Sequence, residues 1–331
     1  MNKPRLKEYE ALRGLSILLL LALHSEIFDP IYFGERFRSL GVFVASFLLG
    51  SFFFLAGYFT EVSINKPNTN ILRFGWSKFI RIFPPYWFAL ALFIYVLEYN
   101  LNRSALIVYL LNLQSVFAPV YVKSLLTLWY ISMLVVFYLF GGSLMLVIRS
   151  SLGLLIAFTV VFFLVLWAHL TKGFFDPRFF QYYVIFVAGV FFCRFETTRT
   201  WIVEWNILIK IFLAVVSVVI LQRVLDADRP MVDIFYIPSI DFYILSWVLL
   251  WLTIFRTGAG NLRFWAWLST ASFFTYLIHR PLWRLIDNYF SLEPGLSTIL
   301  VHLVPGALLA LLLGYVLQRG YDRLLAFLHL K

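Results

Sequence analysis

The sequence predicts an all-α, polytopic membrane bundle of about ten transmembrane helices, and three observations lead there. Of 331 residues, 62% are hydrophobic and 20% aromatic, while only 13% are charged, proportions foreign to a soluble globule. Apolar runs of about 18–24 residues recur along the chain, each long enough to cross a hydrocarbon core of about 30 Å at about 1.5 Å per residue. No stretch reads as a soluble domain, so residues 1–331 are expected to form a single transmembrane domain.

The runs lie near 9–28, 40–61, 82–100, 125–148, 152–170, 179–195, 205–223, 238–255, 266–286 and 297–318. The first follows a short basic head, as a signal peptide would, but no small-residue cleavage site comes after Ala22, so it reads as a retained anchor. The third opens with FGWSKFIRIFPPYW, residues 74–87, where Pro84 and Pro85 interrupt the backbone. The apolar run 105–118 is expected not to span, because Asn112 and Gln114 break it and Pro119 closes it. The chain ends on RGYDRLLAFLHLK, a short basic amphipathic tail.

Ten spans place both termini on one side. Fifteen Lys and Arg residues in short loops fall on that side, among them Lys3, Arg5 and Lys331, against nine opposite, including Arg36 and Arg38. The bias predicts cytoplasmic termini in a bacterial-type inner membrane. The excess of +10 is then topological and lipid-facing, and nucleic acid is not an expected partner. The lone Cys193 has no internal partner, so redox compartment is not readable. No Ser-His-Asp arrangement, zinc-type histidine spacing, Walker loop or dinucleotide glycine motif is visible, and no metal is expected.

Three clusters carry chemistry. RGLSILLLLALH holds Arg13 and His24 eleven residues apart, about three helical turns, so both share nearly one face about 16 Å apart along the axis. Ionisable side chains inside a span usually face the bundle interior or a polar cavity; the plain alternative is that Arg13 snorkels to headgroups and His24 is a satisfied interior hydrogen-bonder. Lys78 and Arg81, three apart, are expected to project on one side at the cytoplasmic mouth, where they suit a polyphosphate or simply obey the positive-inside rule. LTLWYISMLVVFY (126–138) enters from outside with Trp129, Tyr130 and Ser132 in its outer portion. FFTYLIHRPLW (273–283) rises from the cytoplasm with Tyr276, His279 and Arg280. His279 lies about 20 Å along its helix, near the depth of His24, unless these residues merely stabilise a helix break at Pro281.

These motifs resemble the acyltransferase-3 family of polytopic membrane O-acyltransferases. The resemblance covers nearly the whole chain through YEALRGLSILLLLALH, SFFFLAGYF (51–59), KFIRIFPPYW, LTLWYISMLVVFY and FFTYLIHRPLW in order. It implies that Arg13 and His24 match the family's essential pair and that Lys78 and Arg81 match its paired arginines. Lys78 keeps the charge but loses the bidentate fork. Ala56 stands where a serine is usual, and Leu134 where many members carry glutamate.

The resemblance further implies a co-substrate, acyl-CoA and by default acetyl-CoA, with no covalently bound cofactor. The acceptor would be a saccharide or glycolipid on the outer side of the bilayer. Arg13, Lys78 and Arg81 would bind donor phosphates. His24 would act as general base or as a transient acyl carrier. Trp129, Tyr130, Ser132, Tyr276, His279 and Arg280 are candidates for the active-site lining, Trp129, Tyr130, Ser132 and Arg280 also as oxyanion donors. Acceptor capture would fall to the membrane part, its outer loops or a separate partner protein. The rival class is a proton-coupled carrier or flippase for a polar or lipid-linked solute, with His24, His279 and Arg280 lining its path; the chain shows no internal repeat in its favour.

Overall fold

A computed structural model describes residues 6–330, apart from the side chains of residues 32, 33, 35–38 and 104. Lys3, Arg5 and Lys331 lie outside the described residues, as do the side chains of Arg36 and Arg38. The fold is all-helical, without a strand among the described residues. Hydrocarbon offers no hydrogen-bond partner to a peptide group, and a helix satisfies its backbone internally.

Each predicted run overlaps a helix: α1 (Lys7–His24), α2 (Glu35–Ile64), α3 (Ile71–Tyr95), α4 (Trp129–Val147), α5 (Ser151–Lys172), α6 (Arg178–Arg194), α7 (Ile207–Asp226), α8 (Tyr236–Arg256), α9 (Arg263–Phe290) and α10 (Leu296–Phe327). Six of them, α2, α4, α5, α7, α8 and α10, are long and apolar enough to cross a membrane. A seventh arises if α6 and Glu196–Glu204, bent by 101°, count as one broken span. The chain is thus a multi-pass membrane protein, and length with apolarity accounts for six or seven crossings where the sequence predicted ten. The remaining three, α1, α3 and α9, hold the charged clusters: Arg13, then Lys78 and Arg81, then Arg280.

Three prolines behave differently from expectation. Pro84 and Pro85 lie inside α3, which begins at Ile71 rather than near residue 82, and Pro281 lies inside α9, which continues to Phe290. A proline removes one backbone donor and strains one turn. Long helices in lipid tolerate that where neighbouring groups take up the freed carbonyl.

The chain divides into two compact units. The first holds the chain up to Phe52, then Trp201–Arg229, then Pro238 onward. In it α1 runs parallel to α9: Lys7 donates to Asn261 (2.7 Å) at one end, and Gly14 meets Trp265 and Leu268 further along. Antiparallel to α9 lies α10, with Trp267 against Tyr315 and Thr275 donating to the carbonyl of Ala310 (3.2 Å). The first half of α2 runs parallel to α8, since the Tyr243 hydroxyl donates to the carbonyl of Phe43 (3.1 Å) and Phe47 meets Trp247. Buried Lys210, early in α7, donates to Thr253, late in α8 (2.8 Å), and to the carbonyl of Val203 (2.6 Å).

The second unit comprises Phe53–Thr200 and Pro230–Ile237. Its second half of α2 runs parallel to α6 through reciprocal glycines: a Cβ on Gly57 would stand 2.0 Å from the carbonyl oxygen of Phe186, and one on Gly189 2.1 Å from that of Phe54. Small residues let backbones touch where lipid supplies no hydrophobic drive between helices. One turn on, buried Glu61 accepts from Arg194 at 2.8 and 3.1 Å. The α3 helix is antiparallel to α4, with Phe74 against Gly142 and Lys78 against Tyr138. The α5 helix is largely exposed where α4 is largely buried, so Leu152, Ile156, Phe163 and Trp167 form its lipid-facing side.

The run 105–118 does not span. It forms the short helices Arg103–Leu110 and Gln114–Phe117, pinned to α3 where Tyr86 donates to the carbonyl of Tyr109 (2.7 Å) and Trp87 to that of Leu110 (2.9 Å).

A leucine at Gly57 must push two helices apart, so Gly57→Leu is expected to cost about 1–3 kcal/mol. Gly75→Ala, where a Cβ meets nothing within 4 Å, is expected to be neutral or mildly stabilising. Thermal unfolding of the detergent-solubilised variants checks both.

Candidate active site

The first unit supplies the most organised cluster. On α1 the buried face runs through Ala11, Leu12, Ser16, Ile17, Leu20 and Leu21. Ser16 hands its hydroxyl proton back to the carbonyl of Leu12 (2.8 Å), so it adds no unmet polarity. Gly14 allows the close approach: a Cβ there would stand 3.0 Å from the Trp265 ring and 3.1 Å from the Cβ of Leu268. Because the two helices advance in step, ten residues beyond Gly14 bring His24, the final residue of α1, to His279 of α9.

The two imidazoles touch. His24 Nδ1 lies 2.8 Å from His279 Nε2, and the rings are parallel within 2°, their centroids 4.9 Å apart. An N···N distance this short excludes face-to-face stacking. The centroid separation is about one such contact plus two ring radii, so the rings meet edge to edge in nearly one plane. An in-plane approach is what the sp² lone pair of a ring nitrogen favours.

His279 is fully buried, and its other nitrogen, Nδ1, lies 3.1 Å from the carbonyl oxygen of Thr275 and 2.9 Å from that of Tyr276. Trp283 stands edge-on to His279 (centroids 5.4 Å). The ring of His302 lies flat against Trp283, with centroids 4.7 Å apart and planes within 5°. His302 in turn bonds Asp287 (2.8 Å). Sequence reading missed His302 and Asp287. They lie fifteen residues apart across a turn, and His302 sits in a π-helical segment, His302–Gly306, within the last apolar run. Wide turns of this kind are frequent at functional positions.

Tyr276 is buried beside His279 (centroids 6.3 Å), and half-buried Arg280 follows it on the chain. Arg13 is half-buried three turns below His24. The structure therefore brings His24, Tyr276 and His279 together, with Arg280 adjacent in sequence. Among the described residues no three His, Cys, Asp or Glu side chains gather closely enough to hold a metal ion.

The other expected residues lie in the second unit. Lys78 and Arg81 do not share an environment: Lys78 is half-buried with its ammonium 4.0 Å from the centre of the Tyr138 ring, while Arg81 is exposed. The three-residue spacing rotates the second cation away from α4, against which the first is packed. Trp129 is covered by the guanidinium of Arg178 (3.8 Å), which pairs with buried Asp176 and donates to Ser124 (3.2 Å). Tyr130 is buried against Phe53 (4.8 Å).

Ser132 has no spare capacity for an oxyanion. Fully buried, it donates to the carbonyl of Asn112 (2.7 Å), receives the N–H of Ser115 (2.9 Å), and lies 2.9 Å from the Ser115 hydroxyl. One donor and two lone pairs are all a hydroxyl offers, so Ser132 clasps the 105–118 hairpin to α4.

A family profile described as an acyltransferase domain matches residues 6–319, spanning both units. The chain belongs to the acyltransferase-3 family. This membrane acyltransferase matches no curated protein and no solved structure.

Ser132→Ala would strand the Asn112 carbonyl and two groups of Ser115, at an expected cost of about 1–3 kcal/mol. The acyltransferase should melt earlier yet transfer as well per folded molecule, as thermal unfolding and a turnover assay on the soluble fraction would check.

Proposed function

We propose that this acyltransferase moves an acyl group, by default acetyl, from cytoplasmic acyl-CoA to a hydroxyl of a saccharide or other surface acceptor on the far side of a bacterial-type inner membrane. The observation that carries the reading is the His24–His279 contact inside a chain of this family: an imidazole at the end of a membrane helix, held through Nδ1 so that Nε2 is the nitrogen left for chemistry.

Transfer then runs as follows. His24 Nε2 takes the proton of the acceptor hydroxyl while that oxygen bonds to the thioester carbonyl carbon. The tetrahedral intermediate collapses with cleavage of the C–S bond. The thiolate leaves with the electron pair and recovers the proton from His24, so acceptor and acyl-CoA become ester and free thiol with no net proton change. Arg280 and Tyr276 are the proposed donors to the oxyanion. Arg13, Lys78 and Arg81 are proposed to meet donor phosphates, Arg13 and Arg81 as forks and Lys78 as a point charge.

Ten crossings with cytoplasmic termini are part of the proposal; helix direction supports the crossings, and the Lys and Arg bias of the loops supports the side. Within each unit, odd-numbered α1 and α9 are parallel, as are even-numbered α2 and α8, and α2 and α6; α3 with α4 and α9 with α10 are antiparallel. That is the pattern of a chain crossing at every long helix.

His24→Ala is expected to insert and fold but to lose about 10²–10⁴-fold in turnover, with acetyl-CoA still bound. Lys78→Ala/Arg81→Ala should instead weaken saturable acetyl-CoA binding to purified protein. Normal transfer by well-expressed His24→Ala would remove His24 from the mechanism. A stable acyl-imidazole found on His24 by mass spectrometry after exposure to donor alone would replace direct attack by two-step transfer. Absence of binding to acetyl-CoA or any longer acyl-CoA would favour a carrier.

A further inference from the structure

The pair of histidines carries more than proximity, because its hydrogen bonds fix where every proton resides. His279 Nδ1 faces two carbonyl oxygens, those of Thr275 and Tyr276. A carbonyl only accepts, so Nδ1 bears the hydrogen. Turning the ring over would set carbon against both carbonyls and against His24, so the placement of the nitrogens follows from the heavy-atom geometry itself. Neither ring bonds a carboxylate among the described residues, and each imidazole is therefore neutral, with one proton. His279 Nε2 is then a bare lone pair. The 2.8 Å contact requires a hydrogen between the nitrogens, and it can come only from His24 Nδ1. His24 Nε2 is left unprotonated.

We propose that His279 is the positioning residue of this acyltransferase: by accepting the Nδ1–H of His24 it selects the tautomer whose Nε2 lone pair receives the acceptor's proton. The proposal rests on the reading of His24 as general base. It assigns to a neutral histidine the task that a carboxylate performs in many hydrolases, and it explains how the task is done without burying a negative charge in an apolar bundle. When His24 takes up its proton, the same hydrogen bond becomes charge-assisted and strengthens as the reaction proceeds. Donation runs from the acceptor hydroxyl to His24, from His24 to His279 and from His279 to the carbonyl oxygens of α9, so each group is oriented by the one that accepts its hydrogen.

The support for His279 is built into α9. Thr275 and Tyr276 lie four and three residues before it, on the turn below, and Pro281 two residues after it withholds the N–H that would have bonded Leu277. The edge-on Trp283, backed by His302 and Asp287, closes the flank and leaves the ring one orientation.

The chain has five histidines, so ¹⁵N-histidine spectra of the full-length protein in nanodiscs are tractable, with His24→Gln identifying the His24 signals. The wild-type protein should show His24 as the Nδ1–H tautomer and His279 likewise. His279→Leu should release His24 to a mixture of tautomers and lower kcat on the order of 10²-fold or more, with the KM for acetyl-CoA unchanged. His279→Gln, whose amide oxygen can reach the position of Nε2, should restore the tautomer and most of kcat. A wild-type spectrum with hydrogen on His24 Nε2 would overturn the proposal whether or not any variant folds. So would a folded His279→Leu protein with unchanged kcat. If wild type shows the expected tautomer but no acyl transfer to any acceptor, it is the reading of His24 as base that fails, and the positioning geometry stands.

Discussion

Hydrocarbon accepts no hydrogen bond, and that constraint orders the whole molecule: a polar group placed in the bundle must find its partner in the bundle. Glu61 meets Arg194, Lys210 meets a carbonyl and a threonine, Ser132 meets Ser115 and Asn112, and His24 meets His279. Apart from the bond of Lys210 to the nearby carbonyl of Val203, each of these contacts joins segments well separated in sequence. Polarity in this protein is thus the device that sets helix register, while the apolar surface of α5 and its neighbours merely faces the solvent it resembles.

The pair of histidines illustrates the coupling. Its geometry needs α1 and α9 to run parallel and in step from Gly14 to His24, which the small side chain of Gly14 permits. A shift of one residue along either helix would rotate one ring by about 100° away from the other, and the hydrogen bond would be lost. Packing specificity at one end of the helix pair is therefore a condition for the histidine contact at the other.

The same logic separates residues that look alike in sequence. Ser132 and His279 both lie on polar motifs within apolar runs, and both are fully buried. Ser132 exhausts its hydrogen-bonding capacity within the protein, whereas the chain from His279 ends on a ring nitrogen of His24 that keeps its lone pair. The difference between the two is the number of bonds left over.

Composition and run length by themselves determined the class of the protein and the approximate place of the long helices, because local apolarity is a property that any stretch of the sequence reports. The Arg13–His24 spacing put both on one helical face, and the depth of His279 matched that of His24, since helical rise is fixed. Tertiary structure alone decided the rest. The true start of α3 was hidden because charges and prolines depress apolarity without ending a helix. Lys78 and Arg81 parted because α4 packs against only one of them. His302 and Asp287 came together across a turn, and Ser132 found partners 17 and 20 residues away. Which nitrogen of His24 carries the hydrogen is settled by two carbonyls on another helix, a relation no local pattern in the sequence can encode.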